Sequence, residues 1–437
     1  MSDDQPPTLQ PTEMLSPGVE PSEAAPDRSV KSLFQLALRF LRIGSIGFGG
    51  GLSIIALMER ECVRRFRCLE TEEFLHGVGL GQFLGAFSVN TAFFIGYRMF
   101  GLLGGLTAAV CFLLPSVVLV IALSWLYFTF HTIPSLQGPL LGLGPVLIAL
   151  ILSAAWSMGR KALRSPAQGL IALFGCLAGL WHWNPFWILV PAGLLGLGLK
   201  LNDAPLPSDK VKLNAAGWFL LPVSLWPKIH GNVSGWLWMA STIPASVPAA
   251  VAVGSIALPV LIWVFLKVGF ILVGGGYVLI PLLHQHLVVE RGWLTPREFL
   301  DGVAVSQLTP GPIAILATFA GYRLSGIWGA VFSTMAVFLP SIILMWLISY
   351  FYKKVKTIRF ARDIMAGVAA SVVGLIVSAA LVLAPGAIHF RHPGGWFTGL
   401  IAFVLLTWRD WHPAFVLAIG ASVGALFPHW FVAHFPP

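Results

Sequence analysis

The sequence predicts an all-α polytopic membrane protein made of two inverted-topology repeats with broken or re-entrant helices. Three observations lead there: apolar segments on the scale of a bilayer, an internal repeat at one fixed offset, and opposite placement of positive charge in the two copies. Of 437 residues 57% are hydrophobic and only 10% charged, and the mean hydropathy is +0.83. Soluble domains keep roughly a quarter of their residues charged, so the lipid bilayer is the solvent for most of this chain.

Residues 1–30 hold six acids (Asp3, Asp4, Glu13, Glu20, Glu23, Asp27) against Arg28, with many prolines. No basic stretch followed by an apolar one marks a signal peptide there, and a disordered cytoplasmic tail is expected. The remaining body is basic, in short clusters between apolar runs. That is the pattern of membrane topology rather than of a nucleic-acid surface, and no nucleic-acid partner is expected.

Residues 31–200 and 255–437 form the two repeats, and 201–254 a linker with apolar and amphipathic segments. At an offset of 225, residues 40–116 align without a gap to 265–341, and 27 of the 77 pairs are identical. Gly49, Gly50 and Gly51 meet Gly274, Gly275 and Gly276; Glu73-Phe74-Leu75 meets Glu298-Phe299-Leu300. Gln82 meets Gln307, Gly96-Tyr97-Arg98 meets Gly321-Tyr322-Arg323, and Pro115-Ser116 meets Pro340-Ser341. Apolar composition alone does not produce that register.

In the first copy the apolar segments run over about 33–58, 74–97, 101–128, 138–159, 166–182 and 185–200, several near the ~20 residues of a spanning helix. The connection Thr129 to Gly138 has no charged residue, whereas its counterpart holds Lys353, Lys354, Lys356, Arg359 and Arg362; the next connection reverses this, with Arg160, Lys161 and Arg164 facing Arg391 alone. Positive residues mark the cytoplasmic side, so the copies are expected upside down relative to one another. Five full crossings and one partial or re-entrant segment per half are expected, as in secondary transporters of inverted repeats.

Glycine triplets inside apolar segments weaken the helix and bare backbone N–H groups. Thr309-Pro310-Gly311-Pro312 adds a second break. Broken helices aim N-terminal N–H groups at anions, although triple glycine also permits close helix packing and nothing more. Clustered with the breaks are Gln82, Asn90, Ser306, Gln307 and Thr309, uncharged donors suited to an oxyanion, or else interhelical glue. Arg42 and Lys267 share one repeat position seven residues before the glycines, as counter-charges or as snorkelling cations. Arg98 and Arg323 are expected to draw anions electrostatically, Arg98 being equally an interfacial anchor. Glu73 and Glu298 are candidates for proton coupling, but Thr295-Pro296-Arg297-Glu298 also reads as a capping box with Pro at the first helical position.

His284 and His286 lack repeat partners, and Cys62, Cys68, Cys111 and Cys176 contain no C-x-x-C. No metal site, disulfide framework or cofactor is expected. Phosphate-binding loops, nucleophile elbows and His-Glu-x-x-His are likewise missing, so the chain does not read as an enzyme.

Phe40 to Gly51, Trp293-Leu294, Glu298-Phe299, Gln307 to Pro312, Gly321-Tyr322-Arg323 and Pro340-Ser341 together resemble the chromate ion transporter family in its long, two-domain form. The resemblance covers nearly all of the chain beyond residue 30. It implies export of chromate across the bacterial cytoplasmic (inner) membrane, driven by an ion gradient, with chromate resistance as the outcome. Sulfate, a tetrahedral dianion of similar shape, is a related cargo, the coupling ion is expected to be H+, and a homodimer is compatible with the reading. The chain departs from the family where the first half usually carries Pro-Gly-Pro: it reads Gly85-Ala86-Phe87 there, so two equivalent anion sites are not implied. The competing readings are a sulfate or molybdate carrier and, from another class, a membrane scaffold or sensor without flux.

Overall fold

The structure is a computed structural model that describes residues 30–48, 51–66, 68–130, 134–199, 256–272, 276–351, 359–388, 393–409 and 411–431. The expected tail before Val30 and the linker at 201–254 lie outside the described residues, as do Gly49, Gly50, Gly274, Gly275 and the side chain of Gln82. The first copy comprises α1 (Val30–Ile46), α2 (Gly51–Met58) prolonged by a π-turn at Glu59–Arg65, α3 (Thr71–Phe83), α4 (Phe87–Phe130), α5 (Pro134–Ala162), α6 (Pro166–Leu180) and α7 (Pro185–Gly198). The second comprises α8 (Leu258–Ile271), α9 (Leu279–Leu283) with a 3-10 turn before it and a π-turn at His284–Val289 after it, α10 (Pro296–Leu308), α11 (Leu316–Phe351), α12 (Arg359–Ala387), α13 (Pro393–Trp408) and α14 (Pro413–Leu426). Among the described residues the regular structure is helical, and four helices are long and apolar enough to cross a membrane: Phe87–Phe130, Gly138–Ala162, Ile313–Tyr350 and Asp363–Ala387.

Two of those four are not straight. α4 turns back at Phe100-Gly101 and α11 at Ser325-Gly326, with φ of 65° at Gly101 and 62° at Gly326. The left-handed conformation is open to glycine without the Cβ clash that other residues meet. The arms then run antiparallel: Gly96 lies against Gly104, and in the second copy Thr318 Oγ1 and Thr334 Oγ1 are 2.6 Å apart. α3 in turn packs antiparallel to the first arm of α4, Gly77 against Phe94 and Gly81 against Thr91.

The apolar segment at 74–97 is therefore not a single span. Those residues form a re-entrant hairpin whose arms have 13 residues each, about 20 Å at ~1.5 Å per residue, short of a ~30 Å hydrocarbon core. The α1–α2 segment also returns to its own end of the bundle, because the Arg39 guanidinium sits 3.7 Å from the Phe66 ring centroid. In the second copy Ser325 Oγ donates to Ile256 O at 2.5 Å and Arg323 pairs with Glu298 at 2.8 Å, so α8, α10 and the α11 turn all start from one end. Each copy therefore holds two re-entrant hairpins, and the expected five crossings plus one partial segment do not describe it. Hydropathy averaged across a hairpin of two apolar arms cannot be told from one long helix.

The inversion follows from contacts. The second arm of α4 runs parallel to the first arm of α11, since Ser116 touches Pro310 at 2.5 Å while Phe128 stacks on Tyr322 with centroids 6.3 Å apart. It also runs antiparallel to the first arm of α4. The first arms of α4 and α11, which are repeat mates, thus point in opposite directions. The hairpins of the first copy begin at the end that carries Arg60, Arg64, Arg65 and Arg98, hereafter the basic end, and those of the second begin at the far end.

The copies also interlock. α6 and α7 pack mainly on α12, and α13 and α14 on α5. Gly142 abuts Gly420, and the repeat mate of that crossing sets Gly367 against Gly196; a methyl group at either would strike backbone. Leu103, Trp328 and Phe415 lie on the outer surface, all more than half exposed, as lipid-facing side chains do.

Candidate functional site at the hairpin tips

The four hairpin tips converge. Gly311 takes φ 106° between two prolines that cannot continue a regular helix, and its N–H donates to Gly47 O at 2.8 Å. Ser116 Oγ donates to Pro310 O. Gly51, where α2 starts, lies against Phe87, where α4 starts, and Gly276 faces Ile313 at the head of α11. The tip of the first hairpin turns at Gly85, φ 88°, one residue out of register with Gly311 in the repeat. That shift lets the first copy turn without Pro-Gly-Pro.

The first turns of α4 and α11 bring backbone N–H groups to this locus that have no intrahelical acceptor. Asn90 stands in the first turn of α4, its N–H bonded to Ala86 O. Its side chain is 0% exposed, and neither Nδ2 nor Oδ1 has a hydrogen-bonding partner among the described residues. Gln307, in the last turn of α10, has a buried Nε2 that meets no acceptor at full hydrogen-bonding geometry among the described residues, the nearby polar group being the Tyr277 phenol. A buried polar group left unsatisfied costs about 1–3 kcal/mol, and native folds rarely tolerate one. By contrast Ser306 Oγ donates to Val303 O at 2.7 Å and Thr309 Oγ1 to Ser306 O at 3.1 Å, so their hydroxyl protons are engaged.

The charged candidates sit elsewhere. Arg98 pairs with Glu73 and its repeat mate Arg323 with Glu298, at the bases of the hairpins. Glu298 Oε2 also accepts from Thr295 N at 2.8 Å while Thr295 Oγ1 accepts from Glu298 N at 3.1 Å, which is the expected capping box. Arg42 is exposed. Lys267 is exposed as well, its Nζ 5.1 Å from the Trp263 ring centroid on the outward face of α8. The structure does not bring either cation to the tips. Among the described residues no three His, Cys, Asp or Glu side chains converge on a metal position.

Sequence reasoning missed three groups. Tyr277 adjoins the triple glycine and carries no repeat signal, since Leu52 occupies the matching position. Ser116 is visible in the sequence only as part of the Pro-Ser repeat, which carries no sign of its contact with Pro310. The hydrogen bond from Tyr127 to the buried Asp301, 2.6 Å, joins the two copies across 174 residues of sequence, and no local pattern announces it.

Comparison with known proteins places these elements in a wider set. The family model described as chromate transporter matches twice, over residues 34–197 and 260–425. A chromate transport protein of Pseudomonas aeruginosa is 34% identical over 355 residues, 80% of each chain. A probable chromate transport protein of Synechococcus elongatus is 27% identical over 407 residues, 91% of this chain and 96% of its own, and a chromate transport protein of Cupriavidus metallidurans is 27% identical over 359 residues. No solved structure matches.

Proposed function

The chain belongs to the chromate transporter family, and from that premise we propose that it is a secondary active transporter exporting chromate, or a related tetrahedral oxyanion, across the bacterial cytoplasmic membrane. The anion is held where the hairpin tips meet. The observation that carries this reading is the Asn90 amide, fully buried and without a partner among the described residues in the first turn of a helix, beside N–H groups that favour an anion. Gln307 and Tyr277 supply further donors, and neither Arg42 nor Lys267, both exposed, stands at the tips to hold a dianion too tightly for release. The basic end faces the cytoplasm, and with it the start of α1.

Export fits the electrical gradient. An interior-negative potential favours outward movement of a dianion by about 5 kcal/mol per 100 mV, and H+ is the proposed coupling ion. Glu73 and Glu298 stay candidates for carrying it, once released from their arginines.

Asn90→Val tests the site. It removes an unsatisfied buried amide, so the purified variant should melt at or above the parent temperature in detergent, while chromate efflux from proteoliposomes falls at least ~10-fold, as expected for lost hydrogen bonds to a charged ligand. Lys267→Ala, on the outward face, should leave efflux unchanged. Undiminished efflux by Asn90→Val would remove the site. Parent protein that moves chromate, sulfate and molybdate no faster than empty liposomes would remove the function.

A further inference from the structure

The two copies are related in sequence but not equally covered. α3 packs mainly on α4, whereas α10 is enclosed by α4, α5, α11, α12 and α14. Leu75 is 58% exposed and its repeat mate Leu300 3%. His76 is exposed while the matching Asp301 is buried, and Arg98 is exposed while Arg323 is buried. Part of the cover over α10 comes from the other copy, and it includes the far end of α4. Tyr127 donates to Asp301 Oδ2 at 2.6 Å. Phe128 lies among Phe319, Tyr322 and Arg323, with its centroid 5.2 and 6.3 Å from the first two rings and 5.4 Å from the guanidinium carbon.

We propose that Tyr127 and Phe128 of one repeat, clasped by Asp301 and by the Phe319-Tyr322-Arg323 face of the other, form the far-end gate, and that the structure is the state closed there and open at the basic end. The inference rests on the transport reading, in which inverted halves exchange roles. Opening the far end moves the end of α4 off α10, exposing Asp301 and the Glu298–Arg323 pair as His76 and the Glu73–Arg98 pair are exposed now. Tyr127 is the latch, because its hydrogen bond is made only while the two copies touch.

Thiol accessibility tests the gate without measuring flux, so failure of the gate is separable from failure of the transport reading. Single cysteines are placed at the repeat mates Gly79→Cys and Ala304→Cys in a background with the four native cysteines replaced. Membrane-impermeant reagent should modify Gly79→Cys quickly from the basic end and Ala304→Cys slowly from the far end. Adding Tyr127→Phe should raise modification at Ala304→Cys about three- to ten-fold, the worth of one hydrogen bond, and lower it at Gly79→Cys. Asp301→Asn should act in the same direction and add little on top of Tyr127→Phe, because both weaken one bond. Reporters that rise together would show loosened packing and overturn the gate, and so would reporters that do not move.

Discussion

At the scale of single residues, burial separates groups that look alike in sequence. Arg98 and Arg323 follow the same Gly-Tyr, and each pairs with a glutamate 25 positions earlier. The side chain of Arg323 is 7% exposed and that of Arg98 48%. An exposed ion pair contributes about 0–1 kcal/mol, whereas removing one partner of a buried pair strands the other charge and costs about 3–5 kcal/mol. Arg323→Ala should therefore lower the detergent melting temperature clearly and Arg98→Ala hardly at all; equal losses would show that the two environments are the same. The glutamate cap was legible in Thr295-Pro296-Arg297-Glu298 because a capping box is local. The ion pairs were not, since residues 73 and 98 come together only when the intervening chain folds back on itself. Asn90 and Gln307 were legible as polar residues near breaks, but that the Asn90 amide and Gln307 Nε2 lack partners among the described residues is a property of packing.

At the scale of elements, the glycine turns decide the architecture. Gly101 adopts positive φ with nothing within 4 Å of a built Cβ. Gly101→Ala should cost about 1–3 kcal/mol, the strain of holding a Cβ in a backbone conformation that is essentially glycine's alone. Gly142, by contrast, is helical and its added methyl would meet the backbone at Gly420. Gly142→Ala must push α5 and α14 apart, and its loss of thermal stability should exceed that of Gly101→Ala. The reverse order would mean that the crossing is looser than described. The broken character of these helices was readable from Gly-Gly-Gly and Pro-Gly-Pro. A re-entrant segment in each half was expected, but which segments turn back, and that two do so in each copy, was not legible: hydropathy reports how apolar a segment is and says nothing of whether it turns round at a glycine.

At the scale of the whole molecule, the 225-residue register and the opposed charge of matching connections disclosed two inverted copies, because both signals survive any local detail. Their interlocking was hidden, as nothing in either copy states that α5 packs on α13 and α14, or α12 on α6 and α7. The central claim is that hairpins entering from opposite ends meet tip to tip, and sidedness of labelling tests it most directly. Single cysteines at Glu72→Cys and Leu102→Cys bracket the first α3–α4 hairpin, and their repeat mates Arg297→Cys and Ile327→Cys bracket the second. Impermeant thiol reagent added to intact cells and to inverted vesicles should find the first two on the cytoplasmic face together and the last two on the opposite face together. Glu72→Cys and Leu102→Cys on different faces would show a spanning segment in place of a re-entrant hairpin, and all four on one face would remove the inversion.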